Sequence, residues 1–105
     1  MLKEGSKAPE FELQDQKGNI VKLSDFLGKK VLLWFFPKAS TPGCTIEGQQ
    51  FRDEYENFKK RNTVILGMSA DSVKRQDNFC NKQGFPFSLI SDPDKITIRA
   101  YEAIG

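Results

Sequence analysis

Short apolar segments alternate along this chain with helical patterns, and that alternation leaves few folds open to it. Residues 31–36 form a continuous apolar run that Pro37 ends, which is typical of a strand buried on both faces. Residues 63–70 and 85–91 predict two more strands, each preceded by a helical pattern. The order strand, helix, strand, helix, strand indicates an α/β domain with a central, mostly parallel sheet flanked by helices.

The two helical patterns between these strands have recognisable boundaries. The first predicts one continuous helix over residues 42–61, because small and aromatic residues recur on one face at steps of four and three: Cys44, Gly48, Phe51, Tyr55 and Phe58. The second is expected to be capped by Asp71 or Ser72 and closed by Gly84.

The two ends of the sequence predict smaller elements. Residues 11–13 and 20–23 are expected to be short strands on either side of a turn, and residues 24–29 a single helical turn. A last helix is expected to start at Asp92-Pro93-Asp94, since proline is favoured in the first turn of a helix.

Length and composition restrict the class of protein. The chain has 105 residues, which suits one domain over residues 1–105, and its aromatic content of 11% is enough to build a compact core. The formal net charge is only +2 and the charges are interleaved, so we expect neither nucleic-acid nor membrane binding. Residues 3–7 are polar and give no secretory signal, so the expected location is the cytoplasm.

The sequence contains no histidine, and this excludes several kinds of active site. Ser-His and Cys-His nucleophile pairs and most catalytic zinc sites require an imidazole. The two cysteines, Cys44 and Cys80, lie 36 positions apart and form no Cys-x-x-Cys motif. We therefore expect no metal and no cofactor, and any nucleophile must be activated by electrostatics.

Cys44 lies at the predicted start of the first long helix. Thr41 is a natural N-cap and Pro42 a natural first residue, which makes Gly43 the second and Cys44 the third. A thiolate there meets unpaired N–H groups and the positive end of the helix dipole, so we expect Cys44 to be nucleophilic. Gly43 would let a small substrate approach the backbone closely. The alternative is that Cys44 is only a small apolar residue of the helix face.

The loop before this helix resembles the Pro-x-x-x-Thr-x-x-Cys motif of peroxiredoxins, in residues 37–44. The likeness to the peroxiredoxin Q group, also called bacterioferritin comigratory proteins, extends over nearly the whole chain. Its further segments are Phe35-Phe36-Pro37-Lys38, Glu47, Phe51-Arg52-Asp53, Gly67-Met68-Ser69-Ala70-Asp71-Ser72, residues 86–94 and Ala100-Tyr101. The resemblance implies a thioredoxin-like peroxiredoxin fold.

By this resemblance Cys44 is the peroxidatic cysteine, whose thiolate attacks a peroxide and becomes a sulfenic acid. Thr41 would place its hydroxyl beside the thiolate, and Pro37 would shield the site from water. The N–H groups of Gly43 and Cys44 would hold the peroxide oxygens. Each supporting residue also has a structural reading: Thr41 caps a helix, Pro37 ends a strand, and Glu47 is an acid favoured by the helix dipole.

The resolving cysteine is the first departure from the family pattern. Many members carry it five positions after the peroxidatic cysteine, where this chain has Gln49. Some related proteins carry it in the later helix, and Cys80 matches that arrangement. Cys80 would then close an intramolecular disulfide that thioredoxin or a similar dithiol reduces. The alternative is that Cys80 belongs only to the core.

The second departure lies at the end of the sequence. The family continues beyond residue 105 with a strand pair and a final helix, and that part carries an arginine that pairs with the peroxidatic thiolate. Arg99 lies in the wrong segment to replace it, and Arg52 corresponds to another family position. We expect the missing strand pair to leave an apolar edge at residues 31–36, through which a domain that is monomeric in its family could self-associate.

The resulting prediction is a thiol-dependent peroxidase that reduces hydrogen peroxide and small organic hydroperoxides through Cys44. Two alternatives stay open. One is a one-cysteine peroxidase in which Cys80 is structural. The other is a truncated peroxiredoxin-like module, redox-sensitive or used in assembly, without efficient turnover.

Overall fold

A computed structural model describes residues 9–103 of the chain. Five strands and four helices follow one another in the α/β order that the sequence predicts, with one 3-10 helix (Leu23–Phe26) after the first two strands. The strands are β1 (Glu12–Asp15), β2 (Ile20–Lys22), β3 (Lys30–Phe35), β4 (Thr63–Ser69) and β5 (Ser88–Ser91). The helices are α1 (Pro42–Asp53), α2 (Tyr55–Lys60), α3 (Val73–Gln83) and α4 (Ile96–Ala103).

The strands form one mixed sheet in the order β2-β1-β5-β4-β3. The three apolar strands β3, β4 and β5 are parallel neighbours, whereas β1 pairs antiparallel with both β2 and β5. The parallel part has crossover helices, as two parallel neighbours require. The predicted α/β class with a mostly parallel sheet is therefore confirmed.

The predicted helix over residues 42–61 is wrong as one element, because it breaks at Glu54. Glu54 leaves helical geometry with φ −95° and ψ 3°, so that α1 ends before it and α2 begins after it. Phe51 and Phe58, on either side of the break, still pack against the same core. The apolar periodicity continues through the break, which is why the sequence pattern does not reveal it.

Two other boundaries also differ from the prediction. The last helix begins at Ile96 rather than at Asp92-Pro93-Asp94, because Asp92 starts a turn in which Lys95 donates its N–H to the Asp92 carbonyl. Lys95 adopts a positive φ of 59°, which a helix cannot contain. The third apolar strand begins at Ser88 instead of residue 85.

Alternate residues of the central strands point to opposite faces of the sheet and build two cores. The cysteine face, as we name it, is covered by α1, α2 and α3; its buried members are Trp34, Phe36, Ala39, Cys44, Ile65, Phe79, Cys80, Phe85, Phe87 and Leu89. The opposite face is covered by α4 and the 3-10 helix; its buried members are Phe11, Leu66, Met68, Ile90 and Tyr101. Both cysteines thus belong to one core.

β3 is an edge strand, as the sequence analysis expects, and pairs with β4 within the described part of the chain. Its side chains on the opposite face line an open groove of about 750 Å³ together with apolar residues of α4 and the 3-10 helix. Phe35 is 38% exposed there and packs against Tyr101, with the ring centroids 5.3 Å apart and the rings tilted by 48°. Among residues 9–103, no helix is long and apolar enough to cross a bilayer.

Candidate active site

Cys44 lies where the sequence analysis places it, in the third position of α1. Pro42 and Gly43 precede it in the first turn, and Thr41 holds the N-cap position with extended backbone angles. The loop from Phe36 to Thr41 leaves the carboxyl end of β3, which is where ligand sites of parallel sheets form. The Cys44 side chain is 3% exposed and belongs to the cysteine-face core.

Thr41 occupies the cap position but its hydroxyl does not cap the helix. The Oγ1 donates instead to the carbonyl of Lys38 at 3.0 Å. The Thr41 carbonyl accepts from both the N–H of Thr45 (2.9 Å) and its hydroxyl (2.8 Å). The hydroxyl proton is donated to the Lys38 carbonyl, so the lone pairs of Oγ1 remain free to accept a hydrogen bond. The O–H group of a protonated peroxide is one possible donor.

The N–H groups of Gly43 and Cys44 lie in the first turn, so they have no carbonyl partner within α1. The Thr41 side chain does not satisfy them either. Gly43 is exposed, and a Cβ added there would meet no atom within 4 Å, so solvent-sized ligands have room beside this turn. Two oriented donors at the positive end of a helix suit the developing charge on a peroxide oxygen.

Pro37 and Glu47 flank Cys44 in the sequence, and both are exposed. Pro37 follows β3 and is exposed, so it ends the strand as predicted, while the shielding role that the resemblance implies stays a prediction. Glu47 is also exposed, in the second turn of α1.

Asp71 is a residue of this site whose role sequence reasoning missed. The helix cap is Ser72, whose hydroxyl accepts from the N–H of Arg75, so the alternative cap at Asp71 is wrong. The Asp71 carboxylate instead accepts from the N–H of Ala39 at 2.7 Å and from the hydroxyl of Ser69 at 2.7 Å. Asp71 is buried and ties the end of β4 to the loop that leads into Cys44.

The loop held by Asp71 contains a strained residue. Ser40 has a φ of 65°, a left-handed conformation that costs a non-glycine residue on the order of 1 kcal/mol. Such a residue persists where its surroundings over-determine it, and the Ala39–Asp71 hydrogen bond is one such constraint. The sequence signal for this clamp is an acidic residue two positions after a buried strand, and nothing in that pattern points to Ala39.

Cys80 lies in α3 and is not bonded to Cys44; both cysteines are free thiols. Its sulfur donates to the carbonyls of Phe85 (3.4 Å) and Phe87 (3.9 Å). Burial raises the pKa of the Cys80 thiol and nearby Asp77 raises it further. Cys80 is therefore protonated at neutral pH while the domain is folded.

Neither candidate arginine takes the place beside Cys44 that the family arginine holds by resemblance. Arg52 donates to the carbonyl of Gln83 at 2.8 Å and pairs with Asp53 at 3.2 Å, so it links α1 to the end of α3. Gln49 makes a similar link through its side-chain contact with Gln83 at 3.0 Å. Arg99 is exposed on α4.

Comparison with known proteins places the chain in a family. Residues 5–105 match the sequence model of the AhpC/TSA family. Peroxiredoxin Bcp of Bacillus subtilis is 43% identical over 98 residues, which cover 93% of this chain and 62% of that protein. Peroxiredoxin Bcp of Escherichia coli is 44% identical over 93 residues, which cover 89% of this chain and 60% of that protein. The chain thus spans about three fifths of the length of these relatives.

Solved structures agree. A peroxiredoxin Q of Xanthomonas campestris superposes with a TM-score of 0.86 at 43% identity, covering 88% of this chain and 58% of that one. Peroxidoxin BcpB of Mycobacterium tuberculosis gives a TM-score of 0.89 at 36% identity, covering 94% of this chain and 65% of that one. The thioredoxin-like peroxiredoxin fold is confirmed, and the chain belongs to the AhpC/TSA family, in its peroxiredoxin Q and Bcp group.

Proposed function

We propose that this chain reduces hydrogen peroxide and small organic hydroperoxides, with Cys44 as the peroxidatic residue. The observation that carries the proposal is the position of Cys44 in the first turn of α1, beside backbone N–H groups that the helix leaves unpaired. One relative supports the substrate class, because a structure of the Xanthomonas campestris bacterioferritin comigratory protein is described in terms of its alkyl peroxide reduction activity.

The first step is a displacement on oxygen. The Cys44 thiolate attacks one peroxide oxygen, and a sulfur–oxygen bond forms as the oxygen–oxygen bond breaks. The leaving oxygen takes a proton and departs as water or an alcohol, while Cys44 remains as a sulfenic acid. The N–H groups of Gly43 and Cys44 stabilise the charge that develops, and the Thr41 hydroxyl orients the peroxide.

The second step uses Cys80 as the resolving residue. The Cys80 sulfur attacks the Cys44 sulfur, and a disulfide forms as the sulfur–oxygen bond of the sulfenic acid breaks. The hydroxyl group takes the proton of the Cys80 thiol and leaves as water. The spacing of 36 positions between Cys44 and Cys80 matches that between the two cysteines replaced by serine in two Xanthomonas campestris peroxiredoxin Q structures. A thioredoxin-type dithiol would then reduce the disulfide.

Closing this disulfide requires a conformational change. Each cysteine lies in a helix and is buried, and a disulfide needs Cα atoms within roughly 4.4–6.8 Å. The first turn of α1 must unwind, and the Asp71 clamp on Ala39 must then release or flex.

The competing functions make distinct predictions for intact mass after one equivalent of hydrogen peroxide and alkylation. A loss of about 2 Da with no alkylated thiol supports the two-cysteine peroxidase. A gain of roughly 16 or 32 Da with one alkylated thiol supports a one-cysteine enzyme in which Cys80 is structural. No change of mass would contradict the proposal and favour a non-enzymatic module.

The Cys44→Ser variant is the control, and it should leave peroxide unconsumed. The Cys80→Ser variant should lose turnover with thioredoxin but keep the first oxidation. A cytoplasmic location, which the reducing partner favours, stays a prediction.

A further inference from the structure

Gln16 contacts the sulfur of Cys80 although 64 positions separate them in the sequence. Its Nε2 lies 3.7 Å from Sγ, within hydrogen-bond distance for sulfur. Gln16 belongs to the turn after β1, whereas Cys80 lies in the second half of α3. The reaction proposed above gives this contact no role.

The orientation of the Gln16 amide is fixed by the hydrogen bond that its oxygen accepts. Its Oε1 accepts from the backbone N–H of Leu89 at 3.0 Å. Because a backbone N–H can only donate, the oxygen must face Leu89 and the NH₂ group must face Cys80. Leu89 is fully buried in β5, so the anchor lies in the interior of the domain.

The groups around the Cys80 sulfur shift its pKa in opposite directions. Burial and Asp77, on α3, raise its pKa, whereas Lys17 and the Gln16 side chain, from the turn after β1, lower it. The third segment around the sulfur supplies the backbone carbonyls of Phe85 and Phe87, which accept from the neutral thiol. Gln16 is the group among these that donates to the sulfur directly, and a donor favours the thiolate.

We propose that Gln16 is a positioning residue for the resolving cysteine: anchored on Leu89, it donates an N–H to the Cys80 sulfur and increases the thiolate fraction that attacks oxidised Cys44. The inference rests on the proposed function, since it assigns a role within the second step. It adds a residue that no periodicity or motif in the sequence indicates.

The test is the pH profile of Cys80 alkylation by iodoacetamide in the Cys44→Ser chain. The Gln16→Glu variant keeps an acceptor for Leu89 but replaces the donor with a carboxylate. We expect its profile to move upward by about one pKa unit, which makes alkylation about tenfold slower below the pKa. Gln16→Met, which removes both the donor to Cys80 and the acceptor for Leu89 without adding charge, should shift the profile in the same direction by less.

The matched control is Gln14→Glu, which makes the same change of charge on β1. Gln14 is exposed and its side chain donates to the carbonyl of Gly18 at 3.2 Å. Equal profiles for Gln16→Glu and Gln14→Glu would overturn the proposal. Thermal unfolding of each variant checks that the compared chains are folded at the assay temperature.

A second readout, in the chain that retains Cys44, separates this inference from the proposed function. After hydrogen peroxide, Gln16→Glu should close the disulfide more slowly and convert more Cys44 to sulfinic acid than Gln14→Glu does. If the unsubstituted chain forms no disulfide, the resolving role of Cys80 is wrong. An upward shift of the alkylation profile would still support the Gln16–Cys80 contact in that case. An altered profile with an unaltered rate of disulfide closure would overturn the positioning role.

Discussion

Cys44 is a buried cysteine at the start of a helix. It is buried among aromatic side chains, yet it lies in the first turn of a helix, where backbone donors lack partners. Thr41 contributes to this turn through its carbonyl, while its hydroxyl is held by Lys38. The position of the Thr41 hydroxyl is therefore set by its hydrogen bond to Lys38 in the loop, and the hydroxyl does not accept from an N–H group of the helix.

The hydroxyl of Thr41 should matter more for peroxide reduction than for folding. Thr41→Val keeps the shape of the side chain but removes the hydroxyl and its hydrogen bond to Lys38, at a cost in stability of about 1 kcal/mol. We expect peroxide consumption to fall by at least roughly tenfold, since a factor of ten in rate corresponds to 1.36 kcal/mol. Stopped-flow measurement of the rate checks this, and Thr41→Ser should restore most of it.

At the scale of elements, α1 is seated on the sheet through Gly48. A Cβ at this position would lie 2.3 Å from Phe85 Cζ and 2.9 Å from an indole carbon of Trp34. The helix can approach these rings closely because Gly48 has no side chain. Since α1 carries Cys44 in its first turn, this close approach also sets the height of the cysteine above the sheet.

Gly48→Ala should therefore destabilise the domain, although alanine favours helices by about 1 kcal/mol over glycine. Overpacking against Phe85 and Trp34 costs typically 1–3 kcal/mol, and both rings are themselves enclosed by other aromatic residues. Because the added Cβ would lie too close to both rings, we expect a cost in the upper part of this range, about 2–3 kcal/mol, and hence a net loss of about 1–2 kcal/mol in denaturant unfolding. The control is Gly43→Ala, where an added Cβ meets no atom within 4 Å and no loss is expected. Equal stability of Gly48→Ala and the unsubstituted chain would contradict the packing described here.

Asp71 links two elements that are far apart in the sequence, the end of β4 and the loop before α1. Asp71→Ala leaves the buried N–H of Ala39 and the hydroxyl of Ser69 without this acceptor. We expect the loop to open more often and amide exchange at Ala39 to rise, with a loss of stability of about 1–3 kcal/mol. Hydrogen exchange followed by mass spectrometry checks this, and unchanged protection of the loop would contradict the clamp.

At the scale of the whole molecule, the buried thiol of Cys80 and the buried hydroxyl of Tyr101 make the stability of the fold depend on pH in the alkaline range. Burial raises the pKa of Cys80 above its ordinary value of 9.0, with Asp77 adding to the effect. Burial, with Glu10, raises the pKa of Tyr101 above 10.0. In both cases the folded chain keeps a proton that the unfolded chain loses.

Stability should therefore be unaffected by these groups below about pH 9 and should fall as the pH rises above it. The sign follows from linkage, since the unfolded state binds fewer protons than the folded state in this range. Urea unfolding at pH 8, 9 and 10 measures the slope. The Cys80→Ser variant should show a smaller decline than the unsubstituted chain, and an identical decline would contradict the assignment.

The edge at β3 gives the molecule a second property that belongs to its overall shape. The strand leaves one row of backbone groups without a partner strand among the described residues, beside the apolar groove that Leu33 and Phe35 help to line. Lys29 and Glu102 also line this groove. An unpaired strand edge beside an apolar groove favours pairing with a second copy, so this 105-residue chain should self-associate through β3.

Light scattering against protein concentration tests this association. Leu33→Lys introduces a charge into the groove and should shift the equilibrium toward the monomer. Ile96→Lys makes the same change at a residue that is 71% exposed on α4, outside the groove, and should leave the association unchanged. If both variants associate as the unsubstituted chain does, β3 is not the interface.

The sequence by itself determined the α/β class, the apolar strands, and the register that makes Cys44 the third residue of its helix. Each of these is a local property, because proline, cap residues and periodic apolar positions act over a few neighbouring residues. The resemblance in residues 37–44 rests on the same local segment and is confirmed at the level of the family.

Only the tertiary structure decided which distant groups meet. The break at Glu54, the Asp71–Ala39 clamp and the Gln16–Cys80 contact have no periodic signature. The clamp and the Gln16–Cys80 contact depend on how the strands are ordered in the sheet, and that order is set by burying both faces at once. The two contacts join residues 32 and 64 positions apart, so they form only when the chain folds. A pattern of neighbouring residues in the sequence therefore cannot predict them.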